Sequence, residues 1–167
     1  MSQTRPKPWK WPNDAKIAIA ITVAWEGWSP GVTQARGDVF GEKELGRVMP
    51  LKTALGLGMK VQGNSDYPCS PMNPFLHLRS AVARQTRAGN ILDPREAITV
   101  DEAHHLMTTG AAYAGFEEYK RGTLELGKLA DLIVLSEDPY EVPPESLECI
   151  HVDKTIVGGE IVFERTA

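Results

Sequence analysis

The chain has 167 residues, 42% of them hydrophobic and 24% charged, with a formal net charge of −4. That is enough for one domain that buries roughly 70% of its unfolded surface, and too little for a closed (β/α)₈ barrel, which takes about 200 to 250 residues. The charge is uneven: residues 1–62 carry nine Lys+Arg against five Asp+Glu, a net +4, and residues 63–167 carry nine against seventeen, a net −8. This split favours head-to-tail contact between the halves or between chains, while the scattered rather than striped bases argue against a nucleic-acid surface.

Residues 1–14, with Pro6, Pro8, Pro12, Trp9 and Trp11, read as an extended arm that cannot start a helix. No apolar core of signal-peptide length follows the first charges. Lys16 to Trp25 is apolar and β-branched almost throughout and reads as a buried strand; its apolar part is too short to cross a bilayer. Cys69 and Cys149 follow no metal or redox spacing and read as free thiols in a reducing cytoplasm. Thr33 to Gly41 is a polar joint. Glu42 to Leu57 reads as a helix with acidic residues in its first turn, ended by Gly56 to Gly58.

Lys60 to Pro68 is then a short strand that runs into a Gly/Asn/Ser turn and presents Asp66 at its C-terminal end. An α/β enzyme keeps a catalytic acid or base at that place; a turn aspartate that caps its own loop is the other reading. Pro74 to Arg87 sets Phe75, Leu78, Val82 and Gln85 at helical spacing and reads as an amphipathic cover helix. After a loop over Asn90 to Ala97, Thr99 to Glu102 forms a capping box for a helix that runs to Ala114. On that helix, at about 100° per residue, His104 falls on the flank of the apolar face and His105 outside it. Adjacent histidines on a helix cannot chelate one ion, which needs i, i+4 spacing. Ala130 to Leu135 reads as a strand, Asp138-Pro139 with Pro143-Pro144 as a surface loop, and Gly158-Gly159 as the two-residue turn of a hairpin.

Several of these pieces, in order, resemble one family. Arg47-Val48-Met49-Pro50-Leu51-Lys52, Gly63-Asn64-Ser65-Asp66-Tyr67-Pro68 with Pro71-Met72-Asn73-Pro74, the helix Thr99 to Ala114, Gly122 to Leu135 with its Gly127-Lys128-Leu129-Ala130-Asp131 core, and Thr155-Ile156-Val157-Gly158-Gly159 are similar to the C-terminal part of metal-dependent amidohydrolases, over residues 47–163. The resemblance implies a divalent metal, zinc first, with Asp66 as both metal ligand and the base that takes the proton from the metal-activated water. It implies a structural role for Asp131. The family also uses an early His-x-His pair, and this chain has none.

Trp11 to Glu26 resembles instead the first strand of polysaccharide-deacetylase and allantoinase-like hydrolases, which would give Glu26 a place near a metal. The expected fold is α/β: a partial (β/α) barrel-like unit followed by a small antiparallel β-sheet. The expected organisation is 1–41 as N-terminal arm and strand, 42–121 as the α/β unit that resembles the last barrel units, and 122–167 as the C-terminal β element. The expected function is hydrolysis of carbon-nitrogen bonds other than peptide bonds. The alternative is a non-catalytic remnant or companion subunit that needs a partner chain. The expected partners are a second copy or a companion hydrolase subunit, with no nucleic acid and no membrane.

Overall fold

The computed structural model describes residues 23–24, 49–65, 67–68, 71–85 and 91–166. In chain order these form β1 (Val23–Ala24), α1 (Leu51–Gly56), β2 (Gly63–Asn64), α2 (Pro74–Ala83), α3 (Val100–Met107), α4 (Thr109–Ala114), β3 (Leu132–Leu135), β4 (Val152–Val157) and β5 (Glu160–Glu164), with 3₁₀ turns at Pro94–Glu96 and Pro144–Cys149. β1 and β2 pair in parallel, Val23 opposite Gly63 and Ala24 opposite Asn64. β3, β4 and β5 form a separate antiparallel sheet in that order. The expected combination of a parallel unit and a C-terminal antiparallel sheet is what the chain adopts. Of the expected strand over Lys16 to Trp25, all but Val23–Ala24 lies outside the described residues, as does the expected helix before Met49.

Capping follows the sequence closely. The Thr99 hydroxyl accepts from the Glu102 amide at 3.1 Å, and the Glu102 carboxylate accepts from the Thr99 amide at 2.8 Å. The same carboxylate takes the Lys52 ammonium at 2.7 Å, which ties α3 to α1. At the other end of the chain Gly158 and Gly159 have φ of 59° and 88°, the two left-handed residues of a type I′ turn. The Gly158 amide donates to Asp131 Oδ1 at 2.8 Å, so Asp131, just before β3, holds the hairpin turn, a structural role as the resemblance implies.

Two helices differ from expectation. The stretch expected as one helix to Ala114 breaks at Thr108, where φ is −116° and ψ −83°. The hydroxyls of Thr108 and Thr109 donate back to the carbonyls of His104 and His105 at 2.7 and 3.2 Å, a local alternative to the helical ladder that bends helices. α2 is not an amphipathic cover helix, because Phe75 through Ala81 are all buried. It lies between α3 and the 3₁₀ turn at Pro144–Cys149, so its polar residues find partners inside the protein. Arg79 donates to the Glu145 carbonyl at 3.2 Å and to the Gln85 side chain at 3.0 Å, and the Ser80 hydroxyl donates to the Leu76 carbonyl at 2.8 Å. One core of buried apolar side chains, Leu51, Val61, Phe75, Leu78, Leu106, Leu147 and Ile150 among them, joins α1, α2, α3 and the second 3₁₀ turn.

Gly110, just past the break, is where α4 meets the strand. A Cβ at this position would run into the backbone carbonyl of Val61, so only glycine lets the helix come this close. Gly110→Ala is expected to cost about 1–3 kcal/mol as an overpacking change. The exposed Gly56, in α1 with nothing within 4 Å of its ideal Cβ, is the control: Gly56→Ala is expected to stabilise by about 0.4–1 kcal/mol. Urea melts of both variants check this, and a neutral Gly110→Ala would show that the contact yields.

Candidate functional site

The site is built at the C-terminal end of the parallel pair. β1 and β2 run in the same direction, so Ala24 and Asn64 stand at one end of the pair, the end where parallel sheets place their chemistry. Ser65 follows β2, and Asp66, the expected catalytic and metal-binding residue, lies outside the described residues. The chain on the far side of Asp66 is anchored in two ways. The Asn73 side chain caps α2, accepting from the Phe75 amide at 3.0 Å. One helical turn later the buried His77 sets its Nε2 3.1 Å from the Pro71 carbonyl, which requires the Nε2–H tautomer to donate. Burial pushes the His77 pKa below its ordinary value, against the Pro71 hydrogen bond, so the ring is neutral at neutral pH. The sequence gives a signal for this role: a histidine one turn into a helix that starts at Asn73-Pro74 sits under its own N-terminal loop.

The other histidines stay apart. His104 is half-buried and His105 exposed, as their angular positions predict. The Tyr140 hydroxyl donates to Asp101 Oδ1 at 3.2 Å and lies 3.4 Å from His104 Nδ1. The two rings meet edge to face at 5.6 Å. Burial is the main cause that lowers the His104 pKa, with His105 adding to it and Asp101 and Asp138 opposing. His105 Nδ1 turns to the Asp101 carbonyl at 2.9 Å. This cluster clamps the loop after β3 onto α3. Among the described residues no group of three His, Cys, Asp or Glu side chains is placed to hold a metal ion. A hydrolytic metal centre needs at least three protein ligands and an open position, and the described residues do not supply them.

A cavity of about 390 Å³ opens between α1, α3 and α4, lined by Leu55, Lys60, Val61, Leu106, Gly110 and Tyr113. It lies where the chain approaches β2, beside Lys60 and Val61.

Comparison with known proteins settles what this frame is. The amidohydrolase family model matches residues 16–163. The chain belongs to the amidohydrolase family. The match begins at residue 16, inside the Trp11 to Glu26 stretch expected to be deacetylase-like, and runs into the final hairpin. This amidohydrolase chain is 37% identical, over 143 residues, to the N-substituted formamide deformylase of Arthrobacter pascens, covering 83% of the chain and 26% of that relative. Among solved structures it resembles an amidohydrolase from Thermotoga maritima MSB8, with a TM-score of 0.54 at 22% identity over 69% of the chain and 26% of that structure. It also resembles a metal-dependent hydrolase from Pyrococcus horikoshii OT3, with a TM-score of 0.55 at 27% identity over 62% of the chain and 22% of that structure. The chain spans about a quarter of the length of the curated relatives it matches. No helix among the described residues is long and apolar enough to cross a membrane.

Proposed function

We propose that this chain is part of a hydrolase that acts on carbon-nitrogen bonds other than peptide bonds, with an N-substituted amide of formamide type as the substrate class. The observation that carries the proposal is the 37% identity with a formamide deformylase over 83% of the chain. Asp66, two residues beyond β2 in the sequence, is the carboxylate we assign as general base: it takes the proton from the water that attacks the carbonyl carbon and returns it to the leaving amine nitrogen. Asn73 and His77 hold the loop behind it. The resemblance of Trp11 to Glu26 to allantoinase-like hydrolases supports the same bond class. The divalent ion that the family implies, zinc first, does not fit the described residues, and any such ion would depend on donors beyond them.

A second reading is favoured by one fact, the coverage of about a quarter of each curated relative: the chain works as a companion that completes its site with another polypeptide or a second copy. Two expected results follow. The purified chain carries well under one equivalent of zinc, manganese or iron, because one carboxylate and four dispersed histidines do not make a three-ligand site. Elemental analysis without added metal checks this, and a stoichiometric ion lost on Asp66→Ala would overturn it. Asp66→Asn abolishes formate release from an N-substituted formamide by the chain co-produced with the rest of an amidohydrolase. It shifts stability by less than about 0.5 kcal/mol, the usual range for a change that touches no cap, core or buried charge pair. A drop of about 1 kcal/mol or more with no activity to lose would make Asp66 a loop cap instead.

A further inference from the structure

α2 is buried from Phe75 through Ala81, and within that run stands His77, 1% exposed. A buried polar side chain costs free energy unless it is hydrogen-bonded, and an apolar side chain would fill the position without that cost. What the histidine adds is a donor. Its Nε2 stands 3.1 Å from the Pro71 carbonyl. Pro71 lies two residues before the N-cap Asn73, and the carbonyl of the cap is the first that a helix takes into its own ladder. The Pro71 carbonyl is therefore beyond that ladder, and His77 reaches it from one turn inside the helix.

This bond ties down one end of a short span. At the other end Asn64 closes β2 and pairs with Ala24 of β1. Six residues, Ser65 to Ser70, separate Asn64 from Pro71, and Asp66 is the second of them. A span tied at both ends has few arrangements, and release of one end multiplies them. We infer that His77 is a positioning residue for the hydrolysis: through the Pro71 carbonyl it fixes the far end of the span that carries Asp66, and with it the placement of that carboxylate for proton transfer. The inference rests on the assignment of Asp66 as general base and adds the group that holds it in register. Misplacing a catalytic group by about 1 Å costs up to about 100-fold in rate, and such groups owe their precision to the hydrogen bonds behind them. Loss of the His77 donor is therefore expected to lower kcat by about 10- to 100-fold. His77 is buried and needs no contact with substrate, so KM is expected to stay within about twofold, the pattern of a loss felt only in the transition state.

The test uses two side chains of similar shape, His77→Gln, which keeps an amide donor, and His77→Met, which keeps none. Each variant is co-produced with the rest of an amidohydrolase, and formate release from N-butylformamide is followed. The expected result is a kcat lowered by at least about tenfold in His77→Met and largely restored in His77→Gln, with KM unchanged in both. An unchanged kcat in His77→Met overturns the inference, and so does an equal loss in both variants, which would make the imidazole a packing group. Formate release that is absent from the unaltered pair, or that survives Asp66→Asn, overturns the Asp66 assignment and this inference with it. Loss on Asp66→Asn beside an unchanged His77→Met overturns this inference alone. Amide hydrogen exchange on the full chain gives a readout that activity does not enter. The Phe75 amide, which donates to the Asn73 cap at 3.0 Å, is expected to exchange at least about tenfold faster in His77→Met than in His77→Gln, with the Leu78 and Ala81 amides unchanged. Equal rates at Phe75, or lost protection along α2 in both variants, also overturn the inference.

Discussion

Leu147→Ala is expected to lower the melting temperature more than any other single leucine change outside the helices. The side chain is 0% exposed and sits in the 3₁₀ turn Pro144–Cys149 that packs on α2. Large-to-small changes in a core lose the transfer term and leave a cavity, about 2–5 kcal/mol for leucine. At roughly 2–4 °C per kcal/mol for a chain of this size, the drop is about 5–20 °C. The contrast is Leu124→Ala, where the leucine is 78% exposed and the expected change lies within about 0.5 kcal/mol. Thermal melts followed by circular dichroism compare the two. Equal shifts would mean that the turn is not docked on α2.

Leu147 also shows where the sequence stops being readable. Signals that live within a few residues were legible: the Thr99–Glu102 box, the Gly158-Gly159 turn, and the different environments of His104 and His105. Each depends on spacing alone, and spacing is what a sequence displays. The Pro143-Pro144 stretch looked like a surface loop because one buried leucine has no period to reveal it. For the same reason α2 looked amphipathic. Its spacing shows one apolar stripe, whereas Arg79 and Ser80 are buried because a turn some 65 residues away supplies acceptors such as the Glu145 carbonyl. The break at Thr108 was equally hidden, since two threonines are tolerated in a helix until their hydroxyls take the carbonyls behind them. As for the candidate site, a short strand in a parallel pair was legible, but it spans only Gly63–Asn64, with Lys60 to Gln62 outside it. The anchoring of its loop by His77 appears only once the helix is folded under it.

Arg84→Ala is expected to have the largest effect of any polar substitution. Arg84 is 0% exposed and stands at the C-cap of α2 with φ of 52° and ψ of 30°, a left-handed conformation that costs a residue with a Cβ about 1–2 kcal/mol. The chain accepts that cost for what the guanidinium reaches. Nη1 donates to the Met49 carbonyl and Nε to the Asp93 carbonyl, each at 3.3 Å, which joins the segment before α1 to the loop after α2. The Arg84 carbonyl in turn accepts from the Leu92 amide at 2.7 Å. Burial pushes its pKa down while the charges of Glu96 and Asp93 push it up, and an arginine stays charged regardless. Glu96 is itself buried, held by the Thr53 amide at 2.9 Å and by the Thr53 hydroxyl. Removing the cation leaves two carbonyls without this donor and a buried carboxylate with less counter-charge, a loss of about 3–5 kcal/mol. Arg84→Gly separates the two contributions. It loses the same hydrogen bonds but adopts φ of 52° freely, so it is expected to be more stable than Arg84→Ala by about 1 kcal/mol. Urea denaturation of the three proteins reads both differences. If Arg84→Ala falls within 1 kcal/mol of the unaltered chain, the guanidinium is not what joins the two segments; if glycine and alanine are equal, the left-handed backbone at this cap carries no cost.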